Sequence, residues 1–297
     1  MARISEIISE LTPKPTFIGL QEVTPVLLQG LSPLLQSMGY RIICQEGVSY
    51  GCAIAILTAR SLNGRESAPS ADVILSGFQP YRQTRMERGL LWVHAKVDTV
   101  GEVLFSTTHL ESYMKNNDGS RERETQIKEA STFCLEKGAR SNLKSVFITG
   151  DLNWDDENKR VAGTDPKLLA TINNESVGEE TQWLDAWLQT RPGQDGYTFD
   201  SKENPMLKGN LRRRFDRCLA YSSEIAIYST DLCGTEAIPG LTWRKKVEKW
   251  GTGAVSYDMR PLAPSDHFGL VATFGDVSNA PRVVAPVKLA TKRKKKT

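Results

Sequence analysis

Short apolar runs, most of them followed directly by polar residues, recur along this chain. Two runs, at residues 51–57 and 89–97, have the composition of strands, the second with partial alternation. The other runs, each with its neighbouring polar residues, are 17–20 with Glu22, 103–106 with His109, 146–148 with Asp151 and Asn153, 215–221 after the basic residues 212–214, and 268–274 with Asp266 and His267. This pattern predicts several sheet strands.

Helical periodicity appears before the first of these strands and between later ones. Residues 1–11 place apolar side chains at the spacing of one helical face, and residues 122–137 and 181–189 are also predicted to be helical. Trp183 and Trp187 lie four residues apart in the last of these segments, so we expect both in the core. Because strands and helices interleave, the chain is predicted to have an α/β fold.

Length and composition fit one large globular domain. Of the 297 residues, 39% are hydrophobic and 25% are charged, which predicts a sizeable core. No apolar run approaches the roughly 18–20 residues that cross a bilayer, so no membrane partner is expected. The five cysteines form no C-x-x-C pair and are interpreted as reduced thiols. The folded domain is predicted over residues 1–276, with a polar surface excursion at 158–178.

Positive charge is concentrated at the carboxyl end. The chain has a net charge of +3, and residues 288–297 carry six positive charges and no acid, so residues 1–287 carry −3. Residues 277–297 are predicted to be a disordered tail, and the basic run 292–296 is either a nuclear-localisation patch or a solubilising end. In the remainder, the basic triplets 212–214 and 244–246 either follow a nucleic-acid backbone or form a solvated face.

The polar residues at the strand ends form a chemically consistent set. Strand ends of one packed sheet converge on one edge, so residues far apart in sequence can share a cleft. The set contains Glu22, His109, Asp151, Asn153, Asp266 and His267. Rich in carboxylate and amide oxygen and without cysteine, it suits Mg²⁺.

Such a set can hydrolyse a phosphodiester, which needs an aligned water and stabilisation of charge on the phosphate. Glu22 can bind the metal, and Asp151 can orient the water. Asn153 with His109 or His267 can donate hydrogen bonds to phosphate oxygens. Asp216 and Asp266 are both candidates for fixing the tautomer of a histidine.

Each motif also has an ordinary structural interpretation. A Q-E pair after a strand is commonly a solvated strand end, G-D-L-N is a common turn, and S-D-H can be an N-cap. The occurrence of all of them in one order, each beside an apolar run, favours a functional site.

The ordered motifs resemble those of the endonuclease/exonuclease/phosphatase superfamily over about residues 17–274. L-Q-E-V at 20–23, G-D-L-N at 150–153 and S-D-H at 265–267 are similar to motifs found throughout that superfamily. T-T-H-L-E-S at 107–112, with G-Y-T-F-D at 196–200 and L-R-R-R-F-D-R at 211–217, resembles the 5′-tyrosyl-DNA phosphodiesterase branch.

The resemblance implies a set of roles and a fold. By this resemblance, Glu22 and Asp266 bind the metal. The catalytic residues are Asp151, Asn153, His267, Asp216 and His109. The DNA-end channel is lined by Ser112, Arg123, Phe199, Phe215 and Tyr50. The implied fold is an α/β, four-layer α/β/β/α sandwich in which two packed mixed β-sheets are flanked by helices.

The implied activity is hydrolysis of the 5′-phosphotyrosyl bond between DNA and a trapped topoisomerase II remnant during DNA repair. It would require Mg²⁺, with Mn²⁺ as a substitute, and a monomeric enzyme acting in the nucleus, with the cytoplasm as a second location. The alternatives are an abasic-site endonuclease, a deadenylase, a phosphoinositide phosphatase, or a non-catalytic shortened isoform that only binds DNA ends.

Three departures from the branch affect these expectations. A first strand bearing a metal-site asparagine is not found, so a shortened amino terminus is expected. Phe199 stands where the branch has tryptophan, which keeps a stacking face of different size. Asp155 stands where the branch has a basic residue, so we expect one weaker phosphate contact.

Overall fold

The computed structural model describes residues 1–58, 69–113, 118–156, 167–173, 181–248 and 255–279. Within these ranges the helices are α1 (Ala2–Glu10), α2 (Pro25–Ser37), α3 (Ser120–Arg140), α4 (Leu168–Asn173) and α5 (Ala186–Thr190), with a 3₁₀ turn at Val277–Asn279. No helix in the described ranges is both long enough and apolar enough to cross a membrane.

The strands include every one that the apolar runs predicted. They are β1 (Phe17–Val23), β2 (Tyr40–Cys44), β3 (Gly51–Leu57), β4 (Ala71–Pro80), β5 (Gly89–Val97), β6 (Gly101–His109), β7 (Ser145–Asp151), β8 (Leu184–Asp185), β9 (Phe199–Asp200), β10 (Arg212–Arg213), β11 (Asp216–Ser222), β12 (Ile225–Cys233), β13 (Thr242–Glu248), β14 (Val255–Pro261) and β15 (Gly269–Asp276).

The strands form one large mixed sheet and several smaller sheets. The large sheet has the order β4-β5-β6-β7-β11-β8, in which β6 and β7 are parallel and the other neighbours are antiparallel. β1, β3 and β2 form a three-stranded antiparallel sheet, and β12 pairs with β15. Two short ribbons, β9–β10 and β13–β14, complete the described strands.

Three hydrophobic cores separate four layers. Ile54 of β3 and Leu91 of β5 belong to the core between the two sheets. Ile127 of α3 and Ile148 of β7 belong to a second core, on the other face of the large sheet. Leu35 of α2 belongs to a third core, in which α1 and α2 cover the three-stranded sheet. This arrangement confirms the predicted α/β/β/α sandwich.

The predicted helix at 181–189 was wrong in its first half. Asp185 caps the amino end of α5, accepting hydrogen bonds from the backbone N–H groups of Trp187 and Leu188, so the helix begins only at Ala186. The preceding residues join the large sheet as β8. Trp183 and Trp187 therefore do not share a helix, although both are buried as predicted.

Part of the segment predicted as a surface excursion packs into the core. Within 158–178, residues 168–173 form α4, and the side chains of Leu168 and Ile172 are buried beneath it. Residues 157–166, 174–180 and 280–297 lie outside the described residues, as does the basic patch at 292–296. The predicted disorder of the tail therefore stays a prediction there.

Candidate active site

Three neighbouring strands of the large sheet bring His109, Asp151 and Asp216 into one row. β6 runs parallel to β7 with His109 beside Asp151, and β11 runs antiparallel to β7 with Asp216 opposite Asp151. The convergence expected of polar residues at strand ends is therefore present in the fold.

The loop before β15 carries His267 to this row. Its Nδ1 lies 2.8 Å from Oδ2 of Asp216, and its Nε2 lies 4.0 Å from Oδ2 of Asp151. Of the two carboxylates considered for orienting a histidine, Asp216 makes the bond, whereas Asp266 is exposed and accepts from Ser265. Burial alone lowers the pKa of His267, but the hydrogen bond and the charge of Asp216 raise it to about 10. The ring is therefore a cation at neutral pH.

Asp151 is nearly buried among other titratable groups. Its Oδ1 accepts a hydrogen bond from the backbone N–H of Asn153 at 2.8 Å, and its Oδ2 lies 3.4 Å from Nε2 of His109. Burial raises the pKa of Asp151, and the charges of Asp216 and Glu22 raise it further. The site therefore concentrates negative charge that a bound cation would neutralise.

Three side chains of the kinds that bind metals lie close together in this row. Within the described ranges, one atom from each of Asp151, Asp216 and His267 lies within 4.8 Å of the other two, although a protonated His267 ring offers no lone pair to a metal. Glu22 and Asp266, predicted as the metal ligands, do not belong to this group. The charge of Glu22 nevertheless acts on Asp151. Clustered carboxylates around a buried Asp151 suit a hard divalent cation such as Mg²⁺.

Left-handed backbone conformations occur at or beside the site residues. Glu22 has φ 58° and Asn153 has φ 47°, while Glu87, with φ 56°, directly precedes Arg88. Glu22 sits at a register shift in β1, where the strand departs from regular pairing with β3. Residues other than glycine adopt this conformation at a cost, and they do so most often at functional sites.

Gly150 lets the G-D-L-N segment approach β6. Its φ is 122°, and a Cβ atom there would lie 2.0 Å from the carbonyl oxygen of Thr108. Glycine is therefore required for the close backbone contact that sets Asp151 beside His109.

Arg88 belongs to the site, although it was not among the predicted site residues. Nearly buried, it places Nη1 3.0 Å from Nδ1 of His109, while Nη2 donates to Oγ of Ser112 at 3.3 Å. Because a guanidinium only donates, Nδ1 of His109 accepts and the neutral ring carries its proton on Nε2. Burial lowers the pKa of His109 to about 3, and the charge of Arg88 adds to the effect. His109 is therefore a neutral donor, unlike His267.

A sequence signal for Arg88 existed. It directly precedes the apolar run 89–97, so the association of polar residues with strand ends that selected the other candidates would have selected it too.

Ser112 is held with its hydroxyl proton available. Its Oγ accepts from Arg88 Nη2 and from Asn153 Nδ2, each at 3.3 Å, and lies 3.4 Å from the protonated Nε2 of His109, which cannot accept its proton. A hydroxyl has two lone pairs and one proton, so these two bonds leave the proton to donate elsewhere. Ser112 can thus donate to an acceptor that enters the cleft.

Aromatic rings border both histidines. Phe199 meets His267 edge-on at 5.2 Å between ring centroids, and Phe215 lies 6.3 Å from the same ring. Tyr50 is partly exposed, with its ring 6.2 Å from that of His109. Three residues predicted to line the substrate channel therefore adjoin the central row.

Arg123 does not line an open channel, contrary to the prediction. It is fully buried, and Nη1 donates to the carbonyl oxygens of Glu111 at 3.2 Å and Asp118 at 2.6 Å. Its guanidinium also lies 4.4 Å from the ring centroid of Tyr113. Arg123 therefore connects α3 to the backbone of Glu111 and Asp118, because it lies on the inward face of that helix.

Asp155 forms an ion pair with Arg213. Asp155 is nearly buried, and Arg213 is partly exposed and stands opposite Phe199 in the β9–β10 ribbon. The acidic residue that departs from the branch pattern is thus neutralised by an arginine beside Phe199.

Comparisons with known proteins identify the fold. The chain matched none of the protein-family models and none of the curated proteins with which it was compared. Among solved structures, truncated Caenorhabditis elegans TDP2 is similar at 22% identity and a TM-score of 0.65, covering 92% of this chain and 88% of that one. Danio rerio TDP2 complexed with single strand DNA product is similar at 22% identity and a TM-score of 0.64, covering 92% and 90%.

A third match carries the name of a family. An endonuclease/exonuclease/phosphatase family protein from Bacteroides thetaiotaomicron is similar at 19% identity and a TM-score of 0.61, covering 94% of this chain and 87% of that one. These likenesses agree with the four layers of the fold. The chain therefore has the fold of the endonuclease/exonuclease/phosphatase superfamily and resembles TDP2 structures within it.

Proposed function

We propose that this protein is a Mg²⁺-dependent hydrolase that cleaves the 5′-phosphotyrosyl bond between DNA and a topoisomerase II-derived peptide, leaving a 5′-phosphate. The observation that carries the proposal is the row in which cationic His267, oriented by Asp216, faces buried Asp151 beside the donors His109 and Ser112. Similarity to a TDP2 structure that holds a single-strand DNA product supports DNA as the substrate class.

The roles follow from the charge and protonation of each group. Asp151 orients the attacking water and accepts its proton, because it is a buried carboxylate whose pKa is raised toward neutrality. His267 stabilises the negative charge that develops on the phosphate oxygens, since Asp216 keeps its ring protonated. His109 and Ser112 donate neutral hydrogen bonds to the same phosphate.

A divalent metal would be held by the carboxylate of Glu22, with Asp266 near it, beside the buried carboxylate of Asp151 whose pKa the charge of Glu22 raises. When bound, Mg²⁺ supplies Lewis-acid stabilisation of the phosphate and lowers the charge repulsion among these carboxylates. The aromatic rings of Phe199 and Tyr50 adjoin the two histidines and offer stacking faces to a tyrosyl group or a terminal base, while the buried ring of Phe215 packs against Phe199.

The test is cleavage of an oligonucleotide that carries a 5′-phosphotyrosine, measured beside an abasic duplex, a polyadenylate RNA and a phosphoinositide. Preferential release of tyrosine is expected. Preference for one of the other substrates selects the corresponding alternative enzyme. Binding to the DNA end without turnover of any substrate selects the non-catalytic alternative.

We also propose that the protein acts as a monomer in the nucleus. The proposal rests on the basic run 292–296 and on a cleft built from one chain. The tests are light scattering for the mass in solution, and the cellular distribution of a fluorescent fusion with and without residues 288–297. A dimeric mass or an unchanged distribution would contradict these two proposals respectively.

A further inference from the structure

A two-stranded ribbon precedes Asp266 and His267 along the chain. It consists of β13 and β14, whose residues pair in antiparallel register from Thr242 with Pro261 to Glu248 with Val255. Within the described ranges no other strand pairs with this ribbon. Each strand is seven residues long, which corresponds to about 23 Å. We call it the basic ribbon.

One face of the basic ribbon combines cations with exposed apolar side chains. Directly paired residues share a face, so Arg244 lies beside Met259 and Lys246 lies beside Tyr257. Met259 is 63% exposed and Tyr257 is 50% exposed, and Val255 continues the same face. The guanidinium of Arg244 lies 3.8 Å from the ring centroid of Tyr257. Large exposed apolar groups gathered on one face indicate a binding surface.

Away from this face, hydrogen bonds connect the ribbon to the loop between β9 and β10. Nζ of Lys245, which is nearly buried, donates to the carbonyl oxygen of Leu207 at 2.8 Å. Nζ of Lys208 donates to the carbonyl oxygen of Lys246 at 2.9 Å. Burial lowers the pKa of Lys245, and the charges of Arg260 and Lys208 lower it further, so these three cations are neighbours.

These contacts fix the ribbon relative to the cleft. The anchoring loop connects Phe199 of β9 with Arg213 of β10, and Phe199 contacts His267. At the other end, Pro261 of β14 precedes Asp266 by five residues, a distance of at most about 18 Å along the chain. A polymer bound at His267 can therefore continue onto the basic ribbon.

We propose that the exposed face of the basic ribbon binds the single-stranded nucleic acid that extends from the 5′ end held in the active site. The proposal rests on the proposed function and names a second contact region for its substrate. Two cations on this face match phosphates, and Tyr257 and Met259 match unpaired bases. Duplex DNA buries its bases and offers mainly phosphates to such a surface, whereas an unpaired strand offers both groups.

The test compares variants of exposed residues only. Arg244→Glu/Lys246→Glu removes the cations, and Tyr257→Ala removes the aromatic ring. Arg140→Glu/Lys144→Glu makes the same charge change at the exposed end of α3 and serves as the matched control. Binding of a labelled 5′-phosphorylated single-stranded oligonucleotide, and of a blunt duplex of the same sequence, is measured by fluorescence anisotropy at several salt concentrations. Cleavage is measured on a 5′-tyrosyl oligonucleotide and on the 4-nitrophenyl ester of thymidine 5′-phosphate.

The charge variant should weaken oligonucleotide binding at least tenfold and reduce the salt slope by roughly 1.4, about 0.7 for each lost phosphate contact. Tyr257→Ala should weaken binding by about 5- to 100-fold. Both should raise KM for the long substrate, with the rate on the mononucleotide ester and the properties of the control unchanged.

Wild-type affinity in both ribbon variants, or an equal loss in the control, would overturn the proposal. A loss confined to a blunt duplex would overturn it as well, because it would assign the ribbon to double-stranded DNA. The binding measurement needs no turnover. If the wild type cleaves neither ester, the proposed function fails while the role of the ribbon is still decided.

Discussion

Oδ2 of Asp216 lies 2.8 Å from Nδ1 of His267, and the backbone of Asp216 stands opposite Asp151 in the neighbouring strand. Asp216 thus orients the protonated ring of His267 and holds it near the buried carboxylate of Asp151. Because Nε2 of His267 and Oδ2 of Asp151 are 4.0 Å apart, an oxygen of a water or a phosphate that lies to one side of the pair can reach both atoms at hydrogen-bond distance.

Replacement of Asp216 should change the pH dependence of turnover as well as its rate. His267 has its pKa raised to about 10, so its protonated form is present below that pH and is lost as pH rises through it. In Asp216→Asn, the pKa should fall toward the ordinary histidine value of about 6.5. We expect kcat at neutral pH to fall about 10- to 100-fold, because the ring loses the partner that orients it as well as part of its charge, and the alkaline limb of the profile to move to lower pH. Asp72→Asn, on exposed β4, is the control.

Asp151→Asn and His267→Ala should each lower kcat by a factor of about 10² or more while melting temperatures stay close to the wild type. Proton transfer and charge stabilisation are each worth about that much. The two residues act on one transition state, so the double variant should lose less than the product of the two effects. Losses that multiply fully would indicate that they work in separate steps.

Turnover should require a divalent metal, and the affinity for that metal should depend on Glu22. Chelation should abolish turnover, and Mg²⁺ or Mn²⁺ should restore it. Glu22→Gln should raise the Mg²⁺ concentration needed for half-maximal turnover, by about the 10–100-fold typical of weakened metal sites. Glu46→Gln, an exposed carboxylate outside the row, should leave that concentration unchanged. Full activity of the wild type in excess chelator would contradict the metal assignment.

The fold was largely predictable because its strands are short apolar runs with clear ends. β3 and β5 begin at glycines and end where the apolar run ends, so their bounds matched the prediction. α2 was not predicted, since Gly30 and Pro33 interrupt its pattern. Its amino end is fixed instead by Thr24, whose Oγ1 accepts from the backbone N–H of Leu27.

The site was only partly predictable because sequence order does not report side-chain direction. Residues at strand ends, such as His109 and Asp151, had to converge once the strands paired. Arg123 lies on a helix, where the face that turns inward depends on packing, and it proved to be buried. The choice of Asp216 over Asp266 as the partner of His267 likewise required the three-dimensional register.

Asp185, which lies outside the catalytic row, should be essential for stability. Its carboxylate accepts from Nη1 of Arg214 at 2.7 and 2.8 Å and from Nη1 of Arg217 at 3.0 Å, and all three side chains are nearly buried. Asp185→Asn keeps the shape and the cap of α5 but leaves two buried cations with less neutralising charge. Breaking a buried ion pair in this way typically costs about 3–5 kcal/mol of the free energy of unfolding.

The pH dependence of that loss identifies its electrostatic origin. Burial alone raises the pKa of Asp185, but the charges of Arg217 and Arg214 lower it overall below its usual 3.8. A carboxyl whose pKa is lowered on folding contributes stability above its unfolded pKa and loses that stability as pH falls through the folded value. Urea unfolding should therefore show a constant difference between wild type and Asp185→Asn from about pH 5 to 8, and a smaller one below about pH 4. A difference that persists unchanged at pH 3 would mean that Asp185 stabilises the fold by packing rather than by charge.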